Sequence, residues 1–139
     1  MNGIIGLSEA ISIGLHAVGV LAQKPGEAMS AKEIARRIGA SEAHLSKVLQ
    51  RLVKAGLLQS QRGPKGGFFC DSRAVEKSLL EIYEAIEGPL RQKKCLLKKP
   101  VCDGDDCVFG GLIDECNSKT KDYFSLTRVG DICKIFKEA

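Results

Sequence analysis

The sequence predicts a mainly α-helical fold carrying one small β-hairpin. Two short helical periodicities joined by a tight turn come first, then a pair of short strand-like runs around a Gly/Pro-rich tip, and helical patterning returns for the second half. The chain has 139 residues, no Trp and only 5% aromatic residues, so one small aliphatic core is the economical solution. With 44% hydrophobic and 27% charged residues it has neither the composition of a disordered chain nor that of a membrane protein.

Leu7, Ile11, Leu15, Val18, Leu21 and Ala22 recur at three- and four-residue intervals, which predicts a helix over Leu7–Gln23 ended by Pro25-Gly26. Ser30-Ala31-Lys32-Glu33 fits a capping box, with Glu33 reaching back to its cap, and opens a second helix that turns Ile34, Ala35 and Ile38 inward and stops at Gly39. Ser41 caps a third, whose stripe is Leu45, Val48, Leu49, Leu52 and Val53, with Gly56 placed for a left-handed terminus. Leu57–Gln61 and Phe68–Cys70 read as strands around Arg62-Gly63-Pro64-Lys65-Gly66-Gly67. Two short helices, a tight turn and a hairpin describe a winged helix-turn-helix over residues 1–74; a helical domain without a nucleic-acid role is the plainer alternative.

Beyond that boundary, Val75–Glu87 reads as one helix closed by Gly88-Pro89. Arg91–Gly111 is a cysteine-bearing loop. A long helix follows through Leu112, Ile113, Cys116, Thr120 and Tyr123, and Thr127 is placed to cap a last short helix. Residues 75–139 therefore read as a dimerisation unit with the cysteine loop at 91–111.

Charge is unevenly spread. Lys32–Lys65 holds eight basic and two acidic residues, a net +6, against +4 for the whole chain. Such a footprint suits phosphate, although charged faces are also ordinary solvated surface. On the third helix the face opposite the apolar stripe shows Ala43, His44, Ser46, Lys47, Gln50 and Arg51. Ala43, Ser46 and Lys47 lie in the turns that approach base edges: Lys47 suits guanine, Ser46 several edges, and Ala43 a thymine methyl. Arg51 and Lys54 lie further along, at phosphate reach. His44 reads equally as a phosphate contact or an exposed imidazole. Arg62 and Lys65 at the hairpin tip suit a narrow minor groove, with solvent contact as the alternative.

Gly3–Ala22 carries Ser8, Glu9, Ser12 and His16, which makes a lipid-facing helix costly, and no Lys or Arg precedes it as a secretory signal would require. The expectation is a cytoplasmic protein without a membrane role. Six cysteines in a reducing compartment point to metal or redox chemistry rather than to a disulfide scaffold. Cys95, Cys102 and Cys107 form C-x6-C-x4-C without the C-x2-C knuckle typical of zinc. Soft thiolates on a loop suit an iron–sulfur cluster, which wants four ligands. Lys93, Lys94, Lys98 and Lys99 offset thiolate charge, whereas Asp103, Asp105 and Asp106 favour a more oxidised cluster. Cys70, Cys116 and Cys133 fall on apolar elements and read as packing residues, with ligation by Cys116 left open. Neither His16 nor His44 sits in a nucleophile–base pattern, so the sequence does not read as an enzyme.

The sequence resembles the bacterial winged-helix regulators typified by the iron–sulfur regulator IscR and the nitric-oxide sensor NsrR. The likeness runs through Leu7-Ser8, Ser30–Ile38, Ser41–Gly56, the wing Arg62-Gly63-Pro64-Lys65-Gly66-Gly67-Phe68, Glu84-Ala85-Ile86-Glu87-Gly88-Pro89 and the three loop cysteines. It implies a homodimer in which the long helix crosses its partner's copy, with Leu112, Ile113 and Cys116 inside. Two recognition helices would then address a pseudo-palindromic operator in double-stranded DNA. It also implies DNA readout from Ala43, Ser46, Lys47 and Arg62, and a 2Fe-2S or 4Fe-4S cluster on Cys95, Cys102 and Cys107 whose state alters DNA affinity, most simply in a repressor. Two features depart from the family pattern. The cysteine gaps are six and four rather than five and five, and Val108-Phe109-Gly110 stands where a ligating His often follows. The first-helix position that supplies an acidic ligand in some relatives matches Ser12, with Glu9 one turn earlier, so the fourth donor is Ser12, Glu9, Cys116 or none of them. A cluster-free thiol switch acting on DNA, and a winged-helix protein-interaction module, are the alternative readings.

Overall fold

A computed structural model describes residues 6–102 and 106–136. Asp103, Gly104 and Asp105 of the cysteine loop, and the first residues of the Gly3–Ala22 stretch, lie outside them.

The elements run α1 (Glu9–Ala22), α2 (Ala31–Ile38), α3 (Glu42–Lys54), β1 (Gln59–Gln61), β2 (Gly67–Phe69), a 3-10 turn (Ser72–Glu76), α4 (Leu79–Glu87), α5 (Leu112–Leu126), α6 (Val129–Ile132) and a closing 3-10 turn (Cys133–Ile135). The chain is mainly helical with one hairpin, as its periodicities predict.

The caps come from the serines the sequence offers. Ser8, Ser30 and Ser41 accept from the backbone N–H groups of Ile11, Glu33 and His44. The Glu33 carboxylate does not reach back to its cap; it turns forward onto the Arg36 guanidinium at 2.6 and 3.0 Å. The complete capping box belongs to Ser78 and Glu81, which open α4. Val75–Glu87 is consequently not one helix. It breaks into a 3-10 turn and α4, because Ser78 offers a better start than continuation does. At the other end, Thr127 terminates α5 instead of capping α6; Arg128 occupies that cap and its N–H donates to Asp131 Oδ2 at 2.8 Å.

One core runs through the molecule. Ile11, Val18 and Leu21 of α1, Ile34 of α2, and Leu45, Val48, Leu49 and Leu52 of α3 pack with Leu79, Ile82 and Ile86 of α4, Phe124 of α5 and Val129 of α6. At Gly14 the helices come so close that an added Cβ would overlap the Ile86 side chain and stand 3.3 Å from Val48 Cγ1. Phe124 meets Tyr83 edge-on, with ring centroids 5.7 Å apart, and this joins α5 to α4.

The hairpin pairs Gln59 with Phe69, Ser60 with Phe68 and Gln61 with Gly67. A third, one-residue strand backs it: Met29 N–H donates to Phe68 O at 2.9 Å, and Phe68 N–H donates to Met29 O at 2.8 Å. Gly26 N–H adds a bond to Cys70 O at 2.8 Å. The wing is thereby fastened to the α1–α2 connection. A single paired residue has no alternation to read, which is why the sequence did not reveal it.

Candidate nucleic-acid interface and cysteine loop

α3 divides cleanly. Leu45, Val48, Leu49 and Leu52 are buried, while Ala43, Lys47, Gln50 and Arg51 are exposed and His44 and Ser46 half-buried. The sequence-predicted reading residues therefore stand on the solvent side of a helix held from behind by four aliphatic side chains. Arg62 and Lys65 are exposed at the wing tip, where Gly66 N–H donates to Gly63 O at 2.9 Å and closes a turn around Pro64 and Lys65.

Arg51 and Arg36 are among the basic residues engaged by the protein itself. Arg51, expected at phosphate reach, directs Nη1 to Ile86 O at 2.8 Å, in the last turn of α4. A cation on terminal carbonyls satisfies an orphan acceptor and suits the helix dipole, so this residue struts α3 against α4. Arg36 is held by Glu33. Hydrogen bonding to Arg36 keeps the Glu33 carboxyl below its ordinary range and raises the guanidinium in turn.

The loop after α4 is pinned at its start. Gln92 Nε2 donates to Asn117 O at 2.6 Å, and Asn117 Nδ2 donates to Lys93 O at 2.8 Å. Nothing in composition or periodicity marks these two carboxamides; the signal is geometric only. Cys95 is half-buried, whereas Cys102 and Cys107 are exposed. Phe109 N–H approaches Cys107 Sγ at 3.5 Å. Among the described residues no three His, Cys, Asp or Glu side chains gather in a metal-holding group. The three thiols have the softness an iron–sulfur cluster needs. Ser12 and Glu9 are exposed on α1, and Cys116 is half-buried on α5.

α5 carries the residues expected at the pairing surface. Of the three residues the sequence reading placed between two copies, Leu112 is exposed and Ile113 and Cys116 are half-buried in the single chain; Tyr123 and Leu126 add exposed apolar surface. Phe124 is the one buried residue of this helix.

This architecture has close counterparts. The profile of Rrf2, an iron-dependent transcriptional regulator, matches residues 7–135. The chain belongs to the Rrf2 family. Among relatives, YwgB of Bacillus subtilis, described as a candidate HTH-type transcriptional regulator, is 31% identical over 117 residues, covering 82% of this chain and 72% of its own. CymR, the global cysteine regulator of B. subtilis, superposes with a TM-score of 0.75 at 26% identity, over 94% of this chain and 98% of its own. IscR from T. potens gives 0.69 at 27% identity, over 95% and 90%. The Rrf2 assignment makes the chain a DNA-binding transcriptional regulator rather than an enzyme. No helix among the described residues is long and apolar enough to cross a membrane.

Proposed function

We propose that this Rrf2 protein acts as a homodimeric repressor. Ala43, Ser46 and Lys47 would read base edges in the major groove, His44 and Gln50 flank them, and Arg62 and Lys65 enter the minor groove from the wing. The observation that carries this reading is the split of α3 into a buried aliphatic stripe and an exposed face bearing those side chains. Residues 1–74 supply the reading head. Residues 75–139 supply the pairing surface, for which Leu112, Tyr123 and Leu126 give exposed apolar contacts on α5. A twofold pair addresses a pseudo-palindromic operator.

Arg62→Ala tests the DNA contact. It is expected to lower affinity for duplex DNA by about 5- to 30-fold and to reduce the salt slope by about 1. Affinity and slope both unchanged would overturn the wing contact and favour a protein-interaction module.

The loop is the sensing element in this reading. Cys95, Cys102 and Cys107 would hold a 2Fe-2S or 4Fe-4S cluster responsive to redox state, nitric oxide or iron–sulfur supply, and the loop would have to draw them together to do so. The route from loop to DNA is made of this chain's own contacts: Gln92 and Lys93 bond Asn117 on α5, Phe124 on α5 meets Tyr83 on α4, and Ile86 of α4 receives Arg51 of α3. A change in the loop that tilts α5 is thereby passed to the recognition helix. Protein purified without oxygen is expected to show visible absorbance with matching iron and sulfide, and Cys102→Ala to lose both while keeping its helical circular dichroism. A colourless, iron-free wild type removes the cluster and leaves the thiol-switch reading.

A further inference from the structure

Of the three cysteines away from the loop, Cys70 and Cys133 hang from neighbouring parts of the fold. The segment after α5 runs antiparallel to the segment before α4. Leu79 N–H donates to Thr127 O at 3.0 Å, Val129 N–H donates to Lys77 O at 2.9 Å, and Ser78 pairs with Arg128. Arg128 Nη1 extends the pairing onto Glu76 O at 3.0 Å. Next along this register α6 lies flat on the 3-10 turn, so that a Cβ on Gly130 would stand 3.2 Å from Val75 O. Cys133 opens the closing 3-10 turn directly after α6, and Cys70 stands two residues before the 3-10 turn on which α6 lies.

A second, independent tether agrees. Both cysteines are tethered by the four residues that follow α1: Gln23 Nε2 donates to Cys133 O at 3.0 Å, and Gly26 N–H donates to Cys70 O at 2.8 Å. Both side chains belong to or pack against the same core. Their access to solvent differs. Cys70 is fully buried, whereas Cys133 is half-buried and lines an open groove of about 740 Å³ together with Val75, Arg128 and Lys134.

We propose that Cys70 and Cys133 form a peroxide-responsive thiol pair, in which Cys133 is oxidised from the groove and then closes a disulfide on Cys70. The Cys133 thiolate attacks one peroxide oxygen; the O–O bond breaks, and a sulfenic acid and hydroxide result. The Cys70 sulfur displaces the sulfenic oxygen, the S–S bond forms and water leaves, so two electrons pass from the two sulfurs to the peroxide. The order of events follows from accessibility: the groove reaches Cys133 and not Cys70. Burial, with the charges of Asp71 and Cys133, pushes the Cys70 thiol up to about 11, so at neutral pH it is the less reactive partner and waits for an oxidised neighbour. The product fastens the base of the wing to the C-terminal segment. This site is separate from Cys95, Cys102 and Cys107 and does not depend on a cluster.

Hydrogen peroxide treatment of the full-length protein, alkylation of the remaining thiols and peptide mapping without reductant test the pair. The expected product is a crosslink between the peptides bearing Cys70 and Cys133, lost on treatment with dithiothreitol. In Cys70→Ser the Cys133 sulfenic acid should persist and be captured by dimedone, and in Cys133→Ser no disulfide should include Cys70. Wild-type protein in which Cys133 is alkylated quantitatively after peroxide, or in which disulfides join only the loop cysteines, overturns the proposal whether or not either variant folds.

Discussion

Gly67→Ala is expected to detach the wing and cost about 2–4 kcal/mol of stability. Gly67 sits at φ +149°, a backbone region that side chains rarely adopt, and its Cα faces main chain rather than a movable side chain. An added Cβ would overlap Met29 O and the carbonyl carbon behind it, and would stand 2.8 Å from Ser30 N. No rotamer change relieves that overlap; the Met29 segment and β2 must separate. They are joined by the reciprocal bonds between Met29 and Phe68, which would be lost together. Thermal unfolding should fall by about 10 °C for a domain of this size. DNA affinity should fall at least as far as in Arg62→Ala, because Arg62 is then no longer held in place. A stable Gly67→Ala protein with full DNA affinity would show that the bridge to Met29 positions nothing.

That glycine illustrates what the sequence made legible. Gly66-Gly67 is visible as turn chemistry, and the hairpin follows from it. The reason Gly67 cannot be alanine is not visible, because it lies in a strand of one residue almost forty positions earlier. The same division holds elsewhere. The α3 stripe of Leu45, Val48, Leu49 and Leu52 is a local periodicity and is found buried as read. The break at Ser78 was also present in the letters, since Ser78 and Glu81 are spaced as a capping box, but an uninterrupted apolar pattern from Val75 to Ile86 hid it. Arg51 shows a different limit: its exposed place on a basic helix is legible, whereas its bond to the carbonyl of Ile86, 35 positions later, is not. The cysteine loop was legible as chemistry and not as geometry. Thiol softness can be read from residue type, whereas the convergence of Cys95, Cys102 and Cys107 depends on backbone conformation that loop spacing does not encode.

Leu49→Ala should be the more damaging substitution within α3, and comparison with its neighbour Gln50 separates folding from reading. Leu49 has no exposed surface and lies in the cluster that joins α1, α2, α3 and α4. Removing three heavy atoms there forfeits the transfer free energy and leaves a cavity, about 3–5 kcal/mol together. For a small domain this is a large share of total stability, and thermal unfolding should drop by 10 °C or more, by roughly 3–4 °C per kcal/mol. Gln50→Ala alters an exposed side chain on the other side of the same turn and should change stability by no more than about 0.5 kcal/mol. If α3 is the reading helix, Gln50→Ala should nevertheless weaken specific DNA binding, while Leu49→Ala, measured well below its unfolding temperature, should weaken specific and non-specific binding alike by loosening the seat of the helix. The decisive quantity is the ratio of specific to non-specific affinity. A fall in that ratio for Gln50→Ala with unchanged unfolding places base readout on the exposed face; an unchanged ratio in both variants would mean that α3 is a structural helix and that recognition lies elsewhere on the protein.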